Sequence, residues 1–407
     1  MSGACKLLTN KRITVYVTGG IAVYKAADLV RKLIKAGADV KVAMTASAQE
    51  FVTPLTFQVL SKHDVSTDTF NEREAQFVNH IHLADWTELA IVAPATANVI
   101  AKMANGIADD FVSTALLATT APKLIVPAMN QHMLENPATV RNLASLKEYG
   151  YEVMEPATGF LAEGYEGKGR MPEPDQIVEA AQHFLVQQTK DLPLKGKSVI
   201  ITAGGTKERI DPVRFITNDS SGKMGYSLAK AARNLGAQVT LISTTNQLPI
   251  PFGVAFVPVQ SAAEMEKAVF AKFNDSDIVI MAAAVSDYRP KTEAAYKIKK
   301  TNEDLTLILE KTTDILARLG KEKKHQFLIG FAAETNDVET YAKDKLARKN
   351  ANMIVANDVS QANAGFNKDT NEVIIYQPQL DPIHISVRSK DAVAEEILHA
   401  AINTLNL

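Results

Sequence analysis

The stretch ITVYVTGG, at residues 13–20, decides the fold of the first half of the chain. The β-branched run Ile13–Thr18 predicts a buried strand, and Gly19-Gly20 predicts a turn directly after it. A helix is predicted next, because apolar residues recur there at helical spacing, at Ala26, Leu29, Val30, Leu33 and Ile34. Gly37 ends this helix, and the run Ala38–Thr45 (ADVKVAMT) predicts a second strand.

The same order of elements begins again roughly 180 residues later. Ser198–Thr202 (SVIIT) predicts a strand that leads into the turn Ala203-Gly204-Gly205. A helix is predicted next, ending at Gly236, and its apolar residues are Met224, Leu228, Ala232 and Leu235. The run AQVTLIST then predicts a second strand. Strand, glycine turn, helix and strand form a βαβ unit, which predicts a parallel sheet with right-handed crossovers. We therefore expect an α/β chain of two doubly wound, Rossmann-like domains, 1–188 and 189–407, with the polar stretch Gln187–Lys197 at their junction.

Further apolar runs extend both predicted sheets. In the first half, Leu89–Pro94 (LAIVAP) and Lys123–Ala128 (KLIVPA) predict buried strands. In the second half, the runs Asp277–Ala284, Phe327–Ala333 and Asn352–Asp358 do the same. Near the end, EVIIY (372–376) and IHISV (383–387) are separated by a turn that contains proline, which predicts an antiparallel pair at the sheet edge.

Composition narrows the class of protein. The 407 residues carry 44 Lys and Arg against 46 Asp and Glu, and this balance predicts neither a nucleic-acid partner nor an anionic membrane surface. The single cysteine, Cys5, excludes an intrachain disulfide and a cysteine-rich metal site. No apolar run approaches the length of about 18 residues that a membrane span needs, and the first residues lack the apolar core of a signal peptide. We expect a soluble, cytoplasmic protein.

Candidate ligand-binding segments of the first half are expected at strand ends, where open α/β sheets bind ligands. Gly19-Gly20 is either an anion site or simply a tight turn, and it matches neither a GxGxxG fingerprint nor a P-loop. The segments PATAN, PAMN and NHIHL, at 94–98, 127–130 and 79–83, offer small polar side chains, an amide and two imidazoles. His80 and His82 are two residues apart, so a metal pair is not predicted, and each is either a structural or a catalytic histidine.

Residues 11–185 resemble the flavin-dependent cysteine decarboxylase family, in particular its phosphopantothenoylcysteine decarboxylase domain. The resemblance rests on TGGIAVYKA (18–26), the His-Ile-x-Leu motif at His80, PATAN, PAMNxxM (127–133) and GYEGKGRM (164–171). It implies a flavodoxin-like fold and a bound FMN. The FMN site that it implies consists of Thr18, Gly19, Gly20, Ile21, Ala22, Thr45, Pro94, Ala95, Thr96 and Asn98.

The same resemblance implies catalytic roles, with His80 as the family's catalytic histidine and Asn130 as its substrate-carboxylate-binding asparagine. A cysteine-derived carboxylate leaves as CO2 only after oxidation of the CH2–S unit has made the adjacent carbon electron-poor, and a flavin supplies that oxidation. The family's flap reads Leu-Ala-Cys-Gly and its cysteine donates a proton, but this chain has Glu163 at that position. Either Glu163 donates the proton with a pKa raised by burial, or another group does, or the final reduction is impaired. A solvated flap residue is the alternative interpretation of Glu163.

The second half carries a longer polar string, ITAGGTKERIDPVRFITNDSSGKMG, at residues 201–225. Its glycines, its arginines Arg209 and Arg214, Asn218 and the serines that open a helix suit a phosphate group. A helix cap and solvated charges would explain the serines but not the whole string. Further polar segments occur at 282–289 (AAAVSDYR), 297–300 (KIKK), 331–335 (FAAET) and 343–349. Several of them follow predicted strands, which favours a ligand site over a solvated face.

These strings, over residues 190–400, resemble the phosphopantothenate–cysteine ligase domain through DPVRFITNxSSGKMG (211–225) and AAVSDYRP…KIKK (283–300). The resemblance implies that CTP, with Mg2+, activates the carboxylate of 4′-phosphopantothenate as an acyl-cytidylate, which the amine of L-cysteine then attacks. It assigns the substrate and the acyl intermediate to Arg214, Asn218, Ala283 and Ala284. It assigns CTP to Asp287, Lys297, Thr313, Asp314, Ile315, Leu316, Phe331, Lys345 and Lys349. We expect Lys297 to contact the triphosphate and to be catalytic, because cations offset the repulsion between two anions.

With both halves in this order, the chain is similar to the bifunctional coenzyme A biosynthesis enzymes of bacteria. Competing hypotheses are a ligase with an impaired decarboxylase half, a non-catalytic flavoprotein regulator, and an NAD(P) oxidoreductase, which neither glycine turn supports. The combination of families implies a homo-oligomer that joins trimers and dimers, such as a dodecamer. The residues themselves leave open the metal ligands and the choice between CTP and ATP.

Overall fold

The computed structural model describes residues 7–70, 78–189, 191–300, 304–334, 337–358 and 368–405. Contacts between residues divide the chain into two units, one ending at Leu185 and the other covering Val186–Leu407. Cys5 lies outside the described residues. Within those residues, no helix is both long enough and apolar enough to cross a membrane.

The first unit alternates strands and helices. In chain order, up to the boundary between the units, its elements are β1 (Arg12–Val17), α1 (Val23–Lys35), β2 (Asp39–Met44), α2 (Ala46–Gln49), α3 (Pro54–Ser61), α4 (Asn79–Trp86), β3 (Leu89–Ala95), α5 (Ala97–Asn105), α6 (Phe111–Ala118), β4 (Lys123–Pro127), α7 (Gln131–Glu135), α8 (Pro137–Glu148), β5 (Glu152–Val153), β6 (Ala157–Phe160), β7 (Glu166–Arg170) and α9 (Pro174–Gln188).

The central sheet of the first unit is parallel, with its strands in the order β2-β1-β3-β4-β5. Strand β3 is buried along its whole length, as a strand covered on both faces requires. Helix α1 packs through the predicted apolar stripe, since Ala26, Leu29, Val30 and Leu33 are fully buried. The strand order turns back between β1 and β3, which is the switch point of a flavodoxin-like sheet. The predicted doubly wound fold is confirmed for this half.

Strands β6 and β7 form an antiparallel hairpin outside that sheet, where the sequence indicated only a glycine-rich flap. The hairpin lies against the loop after β4, because the N–H of Met129 donates to the carbonyl of Gly169 at 3.0 Å. A Cβ at Gly169 would lie 2.0 Å from the carbonyl oxygen of Met129, and a Cβ at Gly167 would lie 2.4 Å from Oε1 of Gln131. These two glycines therefore permit the close docking of the hairpin.

The second unit has a larger set of elements. In chain order they are β8 (Ser198–Ala203), β9 (Lys207–Arg209), β10 (Phe215–Thr217), α10 (Lys223–Asn234), β11 (Gln238–Ser243), β12 (Ala255–Pro258), α11 (Ala262–Phe273), β13 (Ile278–Met281), β14 (Tyr288–Pro290), β15 (Leu309–Lys311), α12 (Ile315–Glu322), β16 (Phe327–Glu334), α13 (Val338–Arg348), β17 (Met353–Asp358), β18 (Thr370–Tyr376), β19 (Ile383–Ser389) and α14 (Lys390–Leu405).

The main sheet of the second unit has the strand order β12-β11-β8-β13-β16-β17-β18-β19. Neighbouring strands from β12 to β17 are parallel, whereas β17, β18 and β19 pair antiparallel, so the predicted antiparallel edge is confirmed. The order turns back between β8 and β13, which makes this the switch point of the unit. Two short antiparallel strand pairs, β9–β10 and β14–β15, lie outside the sheet.

The apolar core of the second unit covers both faces of its sheet. On one face, Val199 and Ile201 of β8 pack in one cluster with Leu228 of α10 and Ile397 of α14. On the other face, Ile200 packs with Val269 of α11. Alternate residues of one strand thus enter opposite clusters, as the two-residue period of a strand requires. This double cover leaves the ends of the parallel strands as the place where a ligand can enter.

Candidate active sites

A cavity of about 760 Å³ opens at the switch point of the first unit. The loops that follow β1, β2, β3 and β4 line it, together with the β6–β7 hairpin. It brings together these predicted site residues: Gly19, Gly20, Ile21, Ala22, Thr45, Pro94, Thr96, Asn98, Asn130 and Glu163. A volume of this size is within the range of about 300–1,000 Å³ that is usual for cofactor and small-molecule sites.

Thr18 and Ala95, two further predicted flavin-site residues, form the frame of the cavity and do not line it. The buried hydroxyl of Thr18 donates to the carbonyl of Pro94 at 2.7 Å and accepts from the N–H of Thr96 at 3.0 Å. The carbonyl of Ala95, which is fully buried, accepts from the N–H of Ala128 at 3.0 Å. These bonds tie together the ends of β1, β3 and β4, and so they fix the loops that carry the lining residues.

The β1–α1 turn presents backbone to the cavity at the start of a long helix. A Cβ at Gly19 would lie 2.3 Å from Cβ of Ser47, so glycine allows this turn to pack against α2. Helix α1 has Ala22 at its N-cap, with no side-chain cap and no acidic residue in its first turn. The N–H groups of Val23 and Lys25 donate to the carbonyls of Gly20 and Ala22, both at 3.0 Å, but the positive end of the helix dipole is open to an anion. Between the two interpretations of Gly19-Gly20, this arrangement favours the anion site.

Asn130 has a fixed orientation at the edge of the cavity. Its Oδ1 accepts from the N–H of His132 at 2.8 Å, which caps α7. Its Nδ2 donates to the hydroxyl of Tyr165, in the turn of the β6–β7 hairpin, at 2.6 Å. The backbone contact at Oδ1 settles which end of the amide is the oxygen, so an N–H donor is offered outward. Such a donor can bind a carboxylate without adding a negative charge.

Glu163 lines the cavity from the turn of the hairpin and is exposed. The burial on which the proton-donor expectation depended is therefore not present around this side chain in its own unit. Its position on the same turn as Tyr165 still puts a carboxyl group at the mouth of the cavity.

His80 is not among the residues that line the cavity. We expected NHIHL at a strand end, but it opens helix α4 and precedes β3, so this placement was wrong. The segment forms a short helix because Leu83 and Ala84 are buried on one of its sides. Two apolar residues in a row, preceded by two histidines, show no clear helical period in the sequence. Nδ1 of His80 is buried and has no hydrogen-bond partner among the described residues.

The sequence assigned no role to three cationic residues of the cavity, although Lys25 and Arg170 lie within quoted motifs. Lys25 is buried and is neutralised by Glu173, with Nζ to Oε1 at 2.7 Å. Lys102 pairs with Asp109 and Asp110, at 2.6 and 2.8 Å. Arg170, at the end of β7, has no carboxylate partner within the described part of the chain and so remains available to an anionic ligand. The only sequence signal for Arg170 was its place at the end of the glycine-rich flap.

A second cavity, of about 370 Å³, lies at the strand ends of the second unit. It brings together these predicted residues: Ala283, Asp287, Thr313, Asp314, Ile315, Leu316, Phe331, Lys345 and Lys349. They come from the loops after β13 and β15, from the first turn of α12, from β16, and from α13 and its C-cap. Strand β13 ends at Met281, earlier than predicted, and this places Ala283 in a loop at the cavity.

Lys345 of α13 and Lys349, the C-cap of that helix, are the two lysines that line the second cavity. Lys345 donates from Nζ to the carbonyl of Phe331 at 2.8 Å, and Lys349 is paired with Asp314. Asp314 also caps α12 by accepting from the N–H of Ala317 at 2.9 Å. Burial opposes ionisation of Asp314, but the hydrogen bonds from Lys349 and Ala317 outweigh it and lower the pKa of this carboxyl. The carboxylate thus holds the lysine in place at the cavity wall.

Asn218 and Ala284, both predicted at the substrate, lie outside that cavity but next to its lining loop. Nδ2 of Asn218 donates to the carbonyls of Ala284 and Val285, at 3.3 and 3.2 Å. The N–H of Ala284 in turn donates to the carbonyl of Gly204 at 2.9 Å, after the end of β8. The described contacts therefore connect Asn218 to the switch point between β8 and β13.

Arg214 and Lys297 also lie outside the cavity, and a buried carboxylate connects their segments. Asp211 accepts from Nε of Arg214 at 3.0 Å and from the N–H of Ile298 at 3.1 Å. The Arg214 guanidinium holds the pKa of Asp211 well below its usual range. Lys297, which precedes Ile298, is exposed to solvent. The structure does not bring Lys297 to the CTP-site residues with which it was predicted.

No group of three or more His, Cys, Asp or Glu side chains in the described segments is arranged to hold a metal ion. The described residues at the second cavity therefore offer no such protein cage for Mg2+.

Comparisons with known proteins agree over both halves. The flavoprotein family matches residues 4–186, and the "DNA/pantothenate metabolism flavoprotein C-terminal domain" family matches residues 194–405. The coenzyme A biosynthesis bifunctional protein CoaBC of Bacillus subtilis (strain 168) is 55% identical over 393 residues, which cover 96% of this chain and 97% of the relative. CoaBC of Escherichia coli (strain K12) is 45% identical over 396 residues, which cover 96% of each chain.

Among solved structures, the C-terminal domain of a CoaBC protein has 46% identity and a TM-score of 0.46, covering 53% of this chain and 99% of its own. The relatives match both halves in one continuous alignment, and the two family matches fall on the two halves separately. The chain belongs to the family of bifunctional coenzyme A biosynthesis proteins, with a flavoprotein decarboxylase half and a ligase half.

Proposed function

We propose that the second unit ligates L-cysteine to 4′-phosphopantothenate with CTP, and that the first unit decarboxylates the product to 4′-phosphopantetheine with FMN. The observation that carries this proposal is the gathering of the predicted residues into two cavities, one in each unit. Full-length similarity to bifunctional relatives does not favour a ligase with an impaired first half or a regulator without catalysis.

The first cavity fits FMN. The uncapped start of α1 and the backbone from Gly19 to Ala22 would hold its phosphate, and the PATAN segment at 94–98 would lie beside its ring system. When bound, FMN supplies the oxidation of the CH2–S unit that makes the carboxylate able to leave. Asn130 would donate a hydrogen bond to that carboxylate and hold it in one orientation.

We propose that His80 reaches the cavity of a second copy of the chain in the predicted homo-oligomer. Two observations support this: His80 does not line the cavity of its own unit, and its Nδ1 has no partner in the described segments. The test is co-expression of His80→Asn with Asn130→Ala, each inactive alone. Recovered decarboxylation in the mixture is expected, because some cavities would combine an intact Asn130 with an intact His80 from the neighbour. A mixture as inactive as its parts would contradict the proposal.

Glu163 is our candidate for the proton donor of the final reduction, since its carboxyl lies at the cavity and stands where the family has a cysteine. Glu163→Gln keeps the shape of the side chain but cannot donate a carboxyl proton. We expect this variant to release CO2 but to accumulate the unreduced enethiol. If Glu163→Gln and Glu163→Ala both yield the reduced product at the normal rate, another group is the donor.

In the ligase half, the lysines of the second cavity offset the repulsion between the attacking carboxylate and the α-phosphate of CTP. Lys345 and Lys349 line the cavity, and Asp314 holds the ammonium group of Lys349 in place through an ion pair. The carboxylate oxygen forms a bond to phosphorus as pyrophosphate leaves, and the cysteine amine then displaces CMP to form the amide. Mg2+ would enter bound to the triphosphate, which suits the absence of a protein metal cage among the described residues.

The proposal is tested in two assays on the purified protein. First, the cofactor released by heat is identified by mass, and FMN is the expected result. Second, 4′-phosphopantothenate is supplied with Mg2+ and either CTP or ATP in the absence of cysteine. An acyl-cytidylate that forms with CTP is expected, and an acyl-adenylate in its place would overturn the assignment of the nucleotide.

A further inference from the structure

One hydrogen bond joins the β6–β7 hairpin to Asn130, the residue to which the proposed function assigns the substrate carboxylate. It runs from Nδ2 of Asn130 to the hydroxyl of Tyr165, at 2.6 Å. Tyr165 lies within the motif GYEGKGRM, but the sequence assigned no role to it, and it is not one of the residues that line the cavity. Its hydroxyl is nevertheless in contact with the amide that faces the substrate.

The amide nitrogen of Asn130 carries two N–H groups, one for the contact with Tyr165 and one for the substrate carboxylate. Its oxygen is occupied by the N–H of His132 at 2.8 Å, so the amide plane cannot turn over without losing the cap of α7. Of the two N–H bonds on Nδ2, one is directed to Tyr165 and the other remains for a ligand. Together, the bonds at Oδ1 and Nδ2 hold the remaining donor in one direction before the substrate arrives.

Tyr165 is itself held by its backbone. The N–H of Leu161 donates to the carbonyl of Tyr165 at 2.8 Å, and the N–H of Gly164 donates to the carbonyl of Leu161 at 3.1 Å. The hairpin that carries this turn is docked through Gly167 and Gly169, whose missing side chains let β7 approach Gln131 and Met129. The closed turn and the docked hairpin therefore hold the backbone of Tyr165, and its ring lies beside that of His132, with 6.4 Å between the ring centroids.

We propose that Tyr165 is a positioning residue for substrate carboxylate recognition: its hydroxyl fixes the amide of Asn130 and makes that recognition depend on a docked hairpin. This inference rests on the proposed decarboxylase function. A preorganised donor loses less rotational freedom on binding than a free one, and such a donor strengthens binding only of ligands that carry the carboxylate.

The test uses the full-length, flavin-loaded protein and isothermal titration with two ligands. One ligand is 4′-phosphopantothenoylserine, which keeps the carboxylate but has a hydroxyl where the substrate has its thiol. The other is 4′-phosphopantetheine, which has no carboxylate. Tyr165→Phe removes only the hydroxyl, and we expect the serine ligand to bind about 3- to 10-fold more weakly, as expected for the loss of one hydrogen bond. Binding of 4′-phosphopantetheine is expected to be unchanged.

Two further variants separate positioning from a structural effect. In an Asn130→Ala background, Tyr165→Phe is expected to have no additional effect, because no amide remains to be positioned. Tyr149→Phe is the matched control, since it removes a hydroxyl that donates to the carbonyl of Ala104 at 3.1 Å, away from the cavity. We expect it to bind both ligands as the wild type does.

The outcomes are distinguishable. The positioning role is overturned if Tyr165→Phe weakens both ligands equally, weakens neither, or adds its full effect in the Asn130→Ala background. If the wild type binds the ligands but releases no CO2 from 4′-phosphopantothenoylcysteine, the proposed function fails and the positioning proposal is judged on binding alone. If the wild type binds neither ligand, both proposals fail together.

Discussion

Thr18 gives the sharpest prediction about how the flavin site is built. Thr18→Val keeps the shape of the side chain but removes the hydroxyl that bonds the carbonyl of Pro94 and the N–H of Thr96. The buried carbonyl of Pro94 would then be left unsatisfied, which costs about 1–3 kcal/mol, and the half-buried N–H of Thr96 would lose its bond as well. We therefore expect the free energy of unfolding of the first unit to fall by about 2–4 kcal/mol, with weaker retention of flavin.

Urea unfolding followed by tryptophan fluorescence measures this loss in the first unit alone, because the single tryptophan of the chain, Trp86, lies there. A loss of that size shifts the midpoint by about 1–2 M urea at an ordinary slope. Thr18→Ser is the control: it keeps the hydroxyl and removes a methyl group, which costs about 1 kcal/mol. Our reasoning is refuted if the valine variant is as stable as the serine variant or more stable.

Three further predictions concern single positions. Lys349→Met is expected to raise the KM for CTP about tenfold or more, since it removes a cation at the second cavity, while Lys343→Met on the same helix leaves ligase kinetics unchanged. Burial, with Lys223 nearby, lowers the pKa of Lys390 from 10.5 to about 8, so holding its charge in the folded state costs up to about 3 kcal/mol below pH 8. Lys390→Met removes this cost, so we expect the variant to be more stable than the wild type at pH 7. Because the folded state releases the proton first, the difference in unfolding free energy between the two proteins should narrow as pH rises from 8 to 10.5. A difference that does not change with pH would contradict this explanation. Gly169→Ala would place Cβ 2.0 Å from the carbonyl oxygen of Met129 and so disturb the docking of the hairpin. We expect the rate of decarboxylation to fall by about tenfold or more, while the rate of ligation stays unchanged. Equal losses in both assays would point to global misfolding instead.

The parallel sheets could be predicted from the sequence because their strands are buried on both faces. The run Leu89–Pro94 is apolar without alternation, and β3 occupies Leu89–Ala95 almost as predicted. Helix α1 was equally clear, since its buried stripe repeats at helical spacing. Each glycine turn follows a strand at a switch point, which is why motif positions distant in sequence meet in one cavity.

The hairpins could not be predicted in the same way. Strands β6, β7, β9 and β14 are short, polar or glycine-rich, and they pair outside the sheets, so no apolar period marks them. The contact between Asn130 and Tyr165 depends on how the β6–β7 hairpin docks, which is a tertiary property. Arg170, which has no carboxylate partner in the described segments, received no predicted role for the same reason, because it reaches the cavity only through the docked hairpin.

The most direct test of the central claim is a single reaction that needs both units. Purified protein is mixed with 4′-phosphopantothenate, L-cysteine, CTP and Mg2+, and the products are followed by mass. Our account predicts that 4′-phosphopantothenoylcysteine appears first and is converted to 4′-phosphopantetheine with release of one CO2 for each CMP formed. Ligated product that accumulates without CO2, from protein that retains its flavin, would contradict the claim that the first unit is a working decarboxylase.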